Sequence, residues 1–244
     1  MGYLSYIYMS KQFKLKVPAT QADIQLSKYQ KYAKIVQDAE GDLAVDFIRA
    51  KILEIFCGIT LKQAYDLPLK ELDGVVTHIL GLMAEKAELQ RSFTMTDPSG
   101  KTVEFGFMPN MDEMSLGEYI DLEKYIADWA DMHKALAVMY RPITKGNKDF
   151  YDIESYEGSY KYADIMKDAP VTVALGAMVF FYHLGRELLK TTVDSLAREA
   201  KQAIQQERNN PSEQSGDGIN QSILSLEEMS ESLEKLLNST YTNV

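Results

Sequence analysis

The feature that most constrains the fold of this chain is the stretch from Phe105 to Pro142, FGFMPNMDEMSLGEYIDLEKYIADWADMHKALAVMYRP. Ser115 followed three residues later by Glu118 is a capping box, in which each side chain satisfies a free backbone donor of the first helical turn. Arg141 precedes a proline, and the steric clash between a proline and the residue before it predicts a helix end there. The stretch therefore predicts one long helix from about Ser115 to Arg141.

This predicted helix has one apolar face and one charged face. Its apolar residues recur at alternating spacings of three and four, which places them on one side of a helix. We expect that side to lie in the core and the charged side to face water or a polar partner. The apolar residues are Tyr119, Leu122, Ile126, Trp129, His133, Leu136 and Tyr140, and the charged residues are Asp121, Lys124, Asp128, Asp131 and Lys134.

The remainder of the chain predicts further helices and a little β-structure. From Phe13 to Val17 apolar residues alternate with lysines, which is the period of a strand with one wet face. Two apolar runs flank a turn of sequence Asp-Pro-Ser-Gly and predict a β-hairpin over residues 93–107. Helices are predicted over residues 25–39, 43–57, 68–90 and 170–206.

Together these elements predict a mainly α fold: a helical domain with a small β-hairpin, an N-terminal strand or arm and a C-terminal extension helix. The arm comprises residues 1–18 and the core domain residues 19–206. Residues 207–218, ERNNPSEQSGDG, have the polar, proline- and glycine-containing composition of a linker. In residues 219–244 apolar side chains at heptad-like spacing predict a short helix, which needs a surface to lie on because so short a helix is marginal in water.

The formal net charge of −10 is concentrated in two segments. Residues 111–134 and residues 207–244 each hold seven acids against two bases, whereas residues 1–40 hold six lysines against three acids. Phosphate contacts need clustered Lys and Arg, so we expect no sequence-specific nucleic-acid partner. Acidic and basic zones can attract copies of a chain head to tail. Charged faces kept for solubility explain the same pattern equally well.

The two terminal segments and the acidic face are the candidate contact surfaces. An aromatic N-terminal arm has poor means of burying itself on its own subunit, so we expect it to add as a strand to a neighbour. The lysines of the arm are candidate ion-pair partners, in a neighbouring subunit, of the acidic face or the acidic C-terminal segment. The candidate subunit-interface residues are Tyr3, Tyr6, Tyr8, Lys11, Lys14, Lys16, Asp121, Asp128, Asp131, Ile223, Leu226, Leu233 and Leu237.

No motif of catalysis, metal binding or cofactor binding is recognisable in the sequence. The single cysteine, Cys57, follows apolar helix positions and is expected to be a buried, inert thiol. The three histidines have no second histidine or cysteine at ligand spacing, so we expect no metal. The triplet Gly100-Lys101-Thr102 resembles the end of a phosphate-binding loop but falls in the predicted hairpin turn. We therefore expect no cofactor and no enzymatic activity.

The most apolar run, residues 171–185, indicates a buried helix and not a membrane span. It is shorter than the roughly twenty apolar residues that cross a bilayer, so we expect protein on all its sides and no membrane partner. The N-terminus lacks the basic start and the long apolar core of a signal peptide. Synthesis in a reducing cytoplasm is therefore expected.

Several ordered blocks of the sequence resemble a family from the structural gene clusters of tailed bacteriophages, particularly crAss-like phages that infect Bacteroides. The resemblance covers roughly residues 13–189, and each of its blocks is a run of packing residues. The blocks are FGFMPN, SLGEYIDLEKYIADW, MHKALAVMYRPI, YEGSYKY and APVTVALGAMVFFYHLGRELL.

The resemblance implies a structural role in the virion, since small proteins of these phages stack as rings below the portal and form the tail barrel. By this analogy the chain is a ring protein, a dodecamer if it follows portal symmetry, with copies of itself, other ring proteins and the portal protein as partners. The alternative is a tail assembly chaperone, which is also acidic and helical but leaves before maturation. An enzyme is the third class, and it requires a deep pocket with convergent polar groups.

Overall fold

The structure is a computed structural model that describes residues 3–4, 15–38, 45–97, 100–146 and 150–209. The chain is mostly helical, which confirms the predicted mainly α class. It divides into two compact units, Met1–Val179 and Phe180–Val244. The described helices are α1 (Leu26–Asp38), α2 (Val45–Cys57), α3 (Leu61–Tyr65), α4 (Leu69–Met83), α5 (Leu116–Ile126), α6 (Met132–Met139), α7 (Tyr160–Met166) and α8 (Val171–Asn209).

The described strands form a short N-terminal pair and a four-stranded antiparallel sheet. In the pair, the N-terminal strand runs antiparallel to a strand of the same chain, with Tyr3 opposite Pro18. The predicted hairpin is confirmed, and two further strands, which were not predicted, extend it to a four-stranded sheet whose strands pair in chain order. The strands are β1 (Tyr3–Leu4), β2 (Val17–Pro18), β3 (Ser92–Thr96), β4 (Thr102–Phe107), β5 (Tyr140–Gly146) and β6 (Tyr151–Ile153).

The predicted single helix from Ser115 to Arg141 is wrong, because the chain breaks into α5, a 3₁₀ turn, α6 and β5. At the break the Asp128 carboxylate accepts a hydrogen bond from the amide of Ala130 at 2.8 Å and starts a new turn. After α6 the backbone becomes extended and pairs with β4, so Pro142 lies in a strand, opposite Phe105. Pairing with β4 thus replaces the last helical turn that the periodicity predicts.

Helix α4 ends at Met83, seven residues before the predicted end, and a side chain from another part of the chain binds the backbone there. The buried amide of Gln21 donates to the carbonyls of Leu82 at 2.9 Å and Glu85 at 3.2 Å. The Leu82 carbonyl belongs to the last turn of α4, where a helix leaves acceptors without intrahelical partners, whereas Glu85 lies just beyond the helix. The chain is then free to continue without helical structure toward β3, whose first residue is Ser92.

Two groups of buried side chains hold unit Met1–Val179 together. The first lies among α2, α3 and α4, with Leu15, Val17 and Ile24 packed against them. The second is aromatic and lies on the sheet: the Phe93 and Phe105 rings stack at 5.8 Å, and Tyr140 meets Phe93 edge-on at 5.2 Å. Offset and edge-on contacts of this kind stabilise the fold beyond the area that they bury.

The start of α8 is the part of the apolar run that lies in the core. Val171, Val173, Ala174 and Ala177 are buried, whereas Val179 is 40% exposed, so the prediction of a run buried on all sides holds only for its first two turns. Within the part of the chain that the structure describes, no helix is both long and apolar enough to cross a membrane.

Gly176 is the tightest backbone contact of this buried turn, and it yields the first testable prediction. A Cβ at Gly176 would lie 2.2 Å from the carbonyl oxygen of Glu88, whereas a Cβ at Gly81, in the middle of α4, meets nothing within 4 Å. We expect Gly176→Ala to destabilise the protein by about 1–3 kcal/mol, since backbone must move to admit the methyl group. Gly81→Ala should stabilise it by up to about 1 kcal/mol through helix propensity. Urea unfolding of both variants measures this pair, and equal stabilities would contradict the tight contact.

Candidate functional site

The acidic row that the sequence analysis proposed as an interface makes contacts within its own subunit. Asp121 accepts a hydrogen bond from the hydroxyl of Tyr156. Asp128 caps the turn before α6, and Asp131 forms a 2.7 Å ion pair with Lys134. The row is therefore not the continuous solvent face that a single helix would give, and its carboxylates are largely committed to local structure.

The orientation of α5 also differs from the predicted stripe. Its buried residues are Glu118, Leu122 and Tyr125, whereas Tyr119, which the periodicity assigned to the core, is 54% exposed. Leu116 and Ile120 are 74% and 53% exposed, and Tyr119 and Ile120 lie three and four residues after Leu116 along the helix. We call these three residues the α5 patch. Exposed charged residues follow it on the same helix, at Glu123 and Lys124.

A buried ion pair fixes this orientation. One Glu118 oxygen accepts hydrogen bonds from the Ser115 amide at 2.7 Å and hydroxyl at 2.6 Å, which confirms the predicted capping box. The other accepts from the Arg141 guanidinium at 2.5 Å, and both side chains are 8% exposed. Burial alone raises the pKa of Glu118, but the bonds from Ser115 and Arg141 outweigh it and hold the pKa below its usual value.

Two buried tyrosines of the sheet form internal polar links. Tyr140 donates to the carbonyl of Gln90 at 2.8 Å. The Tyr151 hydroxyl lies 2.8 Å from the carbonyl oxygens of both Arg91 and Phe107, between which its single proton can be donated. These hydroxyls tie the segment before β3 to the other strands of the sheet. Both tyrosines therefore belong to a hydrogen-bonded aromatic core.

A second candidate surface is a cleft of about 630 Å³ between α1 and the turn that joins α5 to α6. Gln30 of α1 anchors the turn: its amide donates to the carbonyls of Trp129 at 2.7 Å and Ala130 at 3.1 Å, and lies 3.0 Å from His133 Nδ1. Burial and the nearby lysines, Lys167 first, hold the pKa of His133 below its usual value, so its ring is neutral at pH 7. His133 is thus a satisfied, buried histidine, as its place on the apolar stripe predicted.

The side chains and the turn that could serve catalysis or ligand binding do not have the properties that these functions require. Burial raises the pKa of the Cys57 thiol to about 12, so the thiolate is essentially absent at neutral pH. Gly100, with φ of +87°, lies in the hairpin turn before β4 and does not open a helix, as phosphate-binding loops require. Among the described residues, no group of three His, Cys, Asp or Glu side chains could hold a metal ion.

The remaining predicted interface residues lie near the chain termini. Tyr3 is in β1, and Lys16 is exposed beside the buried Leu15. The others lie outside the described residues, and their roles stay predictions: Tyr6, Tyr8, Lys11, Lys14, Ile223, Leu226, Leu233 and Leu237.

Comparison with known proteins adds no relative to this picture. No protein-family model, no curated protein and no solved structure shows significant similarity to the chain.

The buried ion pair gives a prediction with a defined pH dependence. Glu118→Gln keeps the capping geometry but leaves the Arg141 charge unpaired, and we expect it to cost about 3 kcal/mol of unfolding free energy at pH 7. Because the folded-state pKa of Glu118 is lowered, its contribution is present above the unfolded value of about 4.3 and is lost as the pH falls through the folded value.

The difference between wild type and Glu118→Gln should therefore shrink on acidification below about pH 4.3. The matched control is Asp131→Asn, which removes a half-exposed ion pair and should cost less than about 1 kcal/mol. Denaturant unfolding between pH 7 and pH 3 measures both variants. A small cost for Glu118→Gln, or a difference that does not change with pH, would show that the pair contributes little.

Proposed function

We propose that this protein is a structural component of a bacteriophage particle, where copies of it close into a ring in the tail or neck below the portal. The place in the virion comes from the resemblance of the sequence blocks to crAss-like phage structural proteins. The capacity to assemble is supported by the α5 patch, which is the single observation that carries the proposal.

The α5 patch has the composition of an interface centre. Leu116, Tyr119 and Ile120 place three large apolar side chains on one face of a helix, and charged residues adjoin them, like the polar rim of a protein interface. Burying a Leu or Ile side chain fully is worth about 1.5–3 kcal/mol, so covering this patch supplies much of the free energy of a specific contact.

The patch is also rigid, which favours association. Its helix starts with a capping box, and Glu118 on the opposite side is bonded to Arg141 of β5. Side chains presented by a fixed helix lose less conformational entropy on binding than side chains on a loop. The contacts on the buried side of α5 thus fix the position of the exposed side chains.

A ring requires each subunit to offer two different, complementary surfaces. The α5 patch is one. The lysine-bearing N-terminal arm and the acidic C-terminal segment are the expected sources of the other, and Lys16 is exposed in accordance with that role. A contact between unlike surfaces closes when its rotation divides a full turn, which is how portal-matched rings form.

The α5 patch is tested by replacing Leu116, Tyr119 and Ile120 with serine. We expect the variant to fold normally and to lose ring formation, because its apolar contact area is gone. The matched control replaces Leu69 with serine, since Leu69 is 65% exposed but lies on α4. Sedimentation velocity and negative-stain electron microscopy measure assembly. Rings that persist in the α5 variant, or that are lost equally in the Leu69 control, would contradict the assignment of the interface.

The place in the virion is tested by mass spectrometry of purified, intact particles. We expect the protein at a copy number comparable to that of the portal protein, since stacked rings of the same symmetry contain the same number of subunits. A tail assembly chaperone would instead be abundant in infected cells and absent from mature particles, and this result would overturn the proposed function.

A further inference from the structure

The cleft beside α1 has the dimensions of a peptide site. Its α1 wall uses residues at spacings of three and four, from Ser27 to Asp38, so one whole face of the helix lines it. At 1.5 Å of rise per residue this wall is about 17 Å long. A groove of that length exceeds what a small anion needs and matches about three turns of a helix. The other lining residues are Ala127, Asp128, Trp129, Ala130, His133 and Lys167.

The chemistry of the cleft favours an acidic, partly apolar ligand. Lys31 and Lys34 lie exposed along the α1 wall, and Lys167 lies across from them. Two acids, Asp38 and Asp128, also line the cleft. The Asp128 carboxylate already accepts a hydrogen bond that caps the turn before α6. The alanines and the half-buried Trp129 supply apolar surface between the charges.

The cleft is built before any ligand arrives. The Trp129 ring packs against Tyr29 of α1 with ring centroids 4.5 Å apart. Gln30 holds the Trp129 and Ala130 carbonyls, so the two walls are joined by hydrogen bonds at the floor. A cleft fixed in this way binds a ligand without first having to order its own walls.

The C-terminal sequence of the chain has the complementary chemistry. Residues 210–244 contain six acids against one base, and four of these acids, from Glu227 to Glu234, alternate with Leu and Met side chains. We propose that the cleft along α1 receives this acidic segment from a second copy of the chain. The proposal rests on the self-assembly inferred above and adds a second contact between neighbouring subunits to the contact of the α5 patch.

A charge-reversal experiment on the full-length chain tests this contact. One variant carries Lys31→Glu and Lys34→Glu, a second carries Glu227→Lys and Glu228→Lys, and a third carries all four changes. Each two-residue reversal should weaken self-association about tenfold, because two attractive pairs become repulsive. The four-residue variant should return to within about threefold of wild type, because its charges are complementary again.

The control reverses two lysines that do not line the cleft, Lys62→Glu and Lys70→Glu, both exposed on other helices. Sedimentation velocity gives the association constant. Trp129 is the only tryptophan of the chain, so its emission reports occupancy of the cleft directly. We expect that emission to change with protein concentration in wild type and the four-residue variant, over the range where copies associate.

The outcomes separate the alternatives. Association of the Lys31 and Lys34 variant equal to that of the control, or a four-residue variant weaker than either reversal alone, overturns the contact. Emission that responds to the reversals but not to protein concentration shows that the segment comes from the same chain, and overturns the role of the second copy. If the wild-type chain never associates, both the proposed ring and this contact are wrong. If rings form and the charge reversals do not affect them, only this contact is wrong.

Discussion

The ion pair between Glu118 and Arg141 is the interaction on which the arrangement of the middle of this protein depends. It joins the first turn of α5 to β5 across 23 positions of the chain, and the Glu118 carboxylate closes the capping box at the same time. Separating a buried ion pair costs about 3–5 kcal/mol of free energy. The position of α5 on the sheet is therefore well determined. With Glu118 fixed inward, helical geometry turns Leu116 and Ile120 outward. The exposed α5 patch is therefore a consequence of the buried pair.

Sequence reasoning succeeded where the signal was local. The capping box at Ser115 and the hairpin turn before β4 depend on residues within four positions of each other, and both are as predicted. The strand that starts at Tyr140 depends on pairing with β4, more than thirty residues earlier in the chain. Periodicity could not reveal this, because Leu136 and Tyr140 are buried in the helix and strand as they would be in a single helix.

The partners of the charged residues in the candidate site could not be predicted from the sequence either. Spacing identified Asp121 and Asp131 as one charged face, but it could not show that a tyrosine hydroxyl and a lysine already satisfy them. Nor could it distinguish the inward Glu118 from the outward Glu123, although both are acids on one helix. The spacing does contain a signal that Glu118 points inward, since Glu118, Leu122 and Tyr125 recur at spacings of four and three. A capping residue that also lies on an apolar stripe is therefore a candidate for a buried ion pair.

The two surfaces that remain for contact are chemically unlike, and this decides the kind of assembly they can support. The α5 patch is apolar with a charged rim, whereas the α1 cleft is lined by lysines and an indole ring. A two-fold symmetric dimer uses one self-complementary patch on both subunits, and the lysine-lined cleft is not complementary to itself, because like charges repel. Distinct surfaces on one subunit bind different mates on the next, which propagates a head-to-tail contact. Such a contact ends only by closing into a ring or by growing into a filament. The proposed ring requires a rotation between neighbours that divides a full turn.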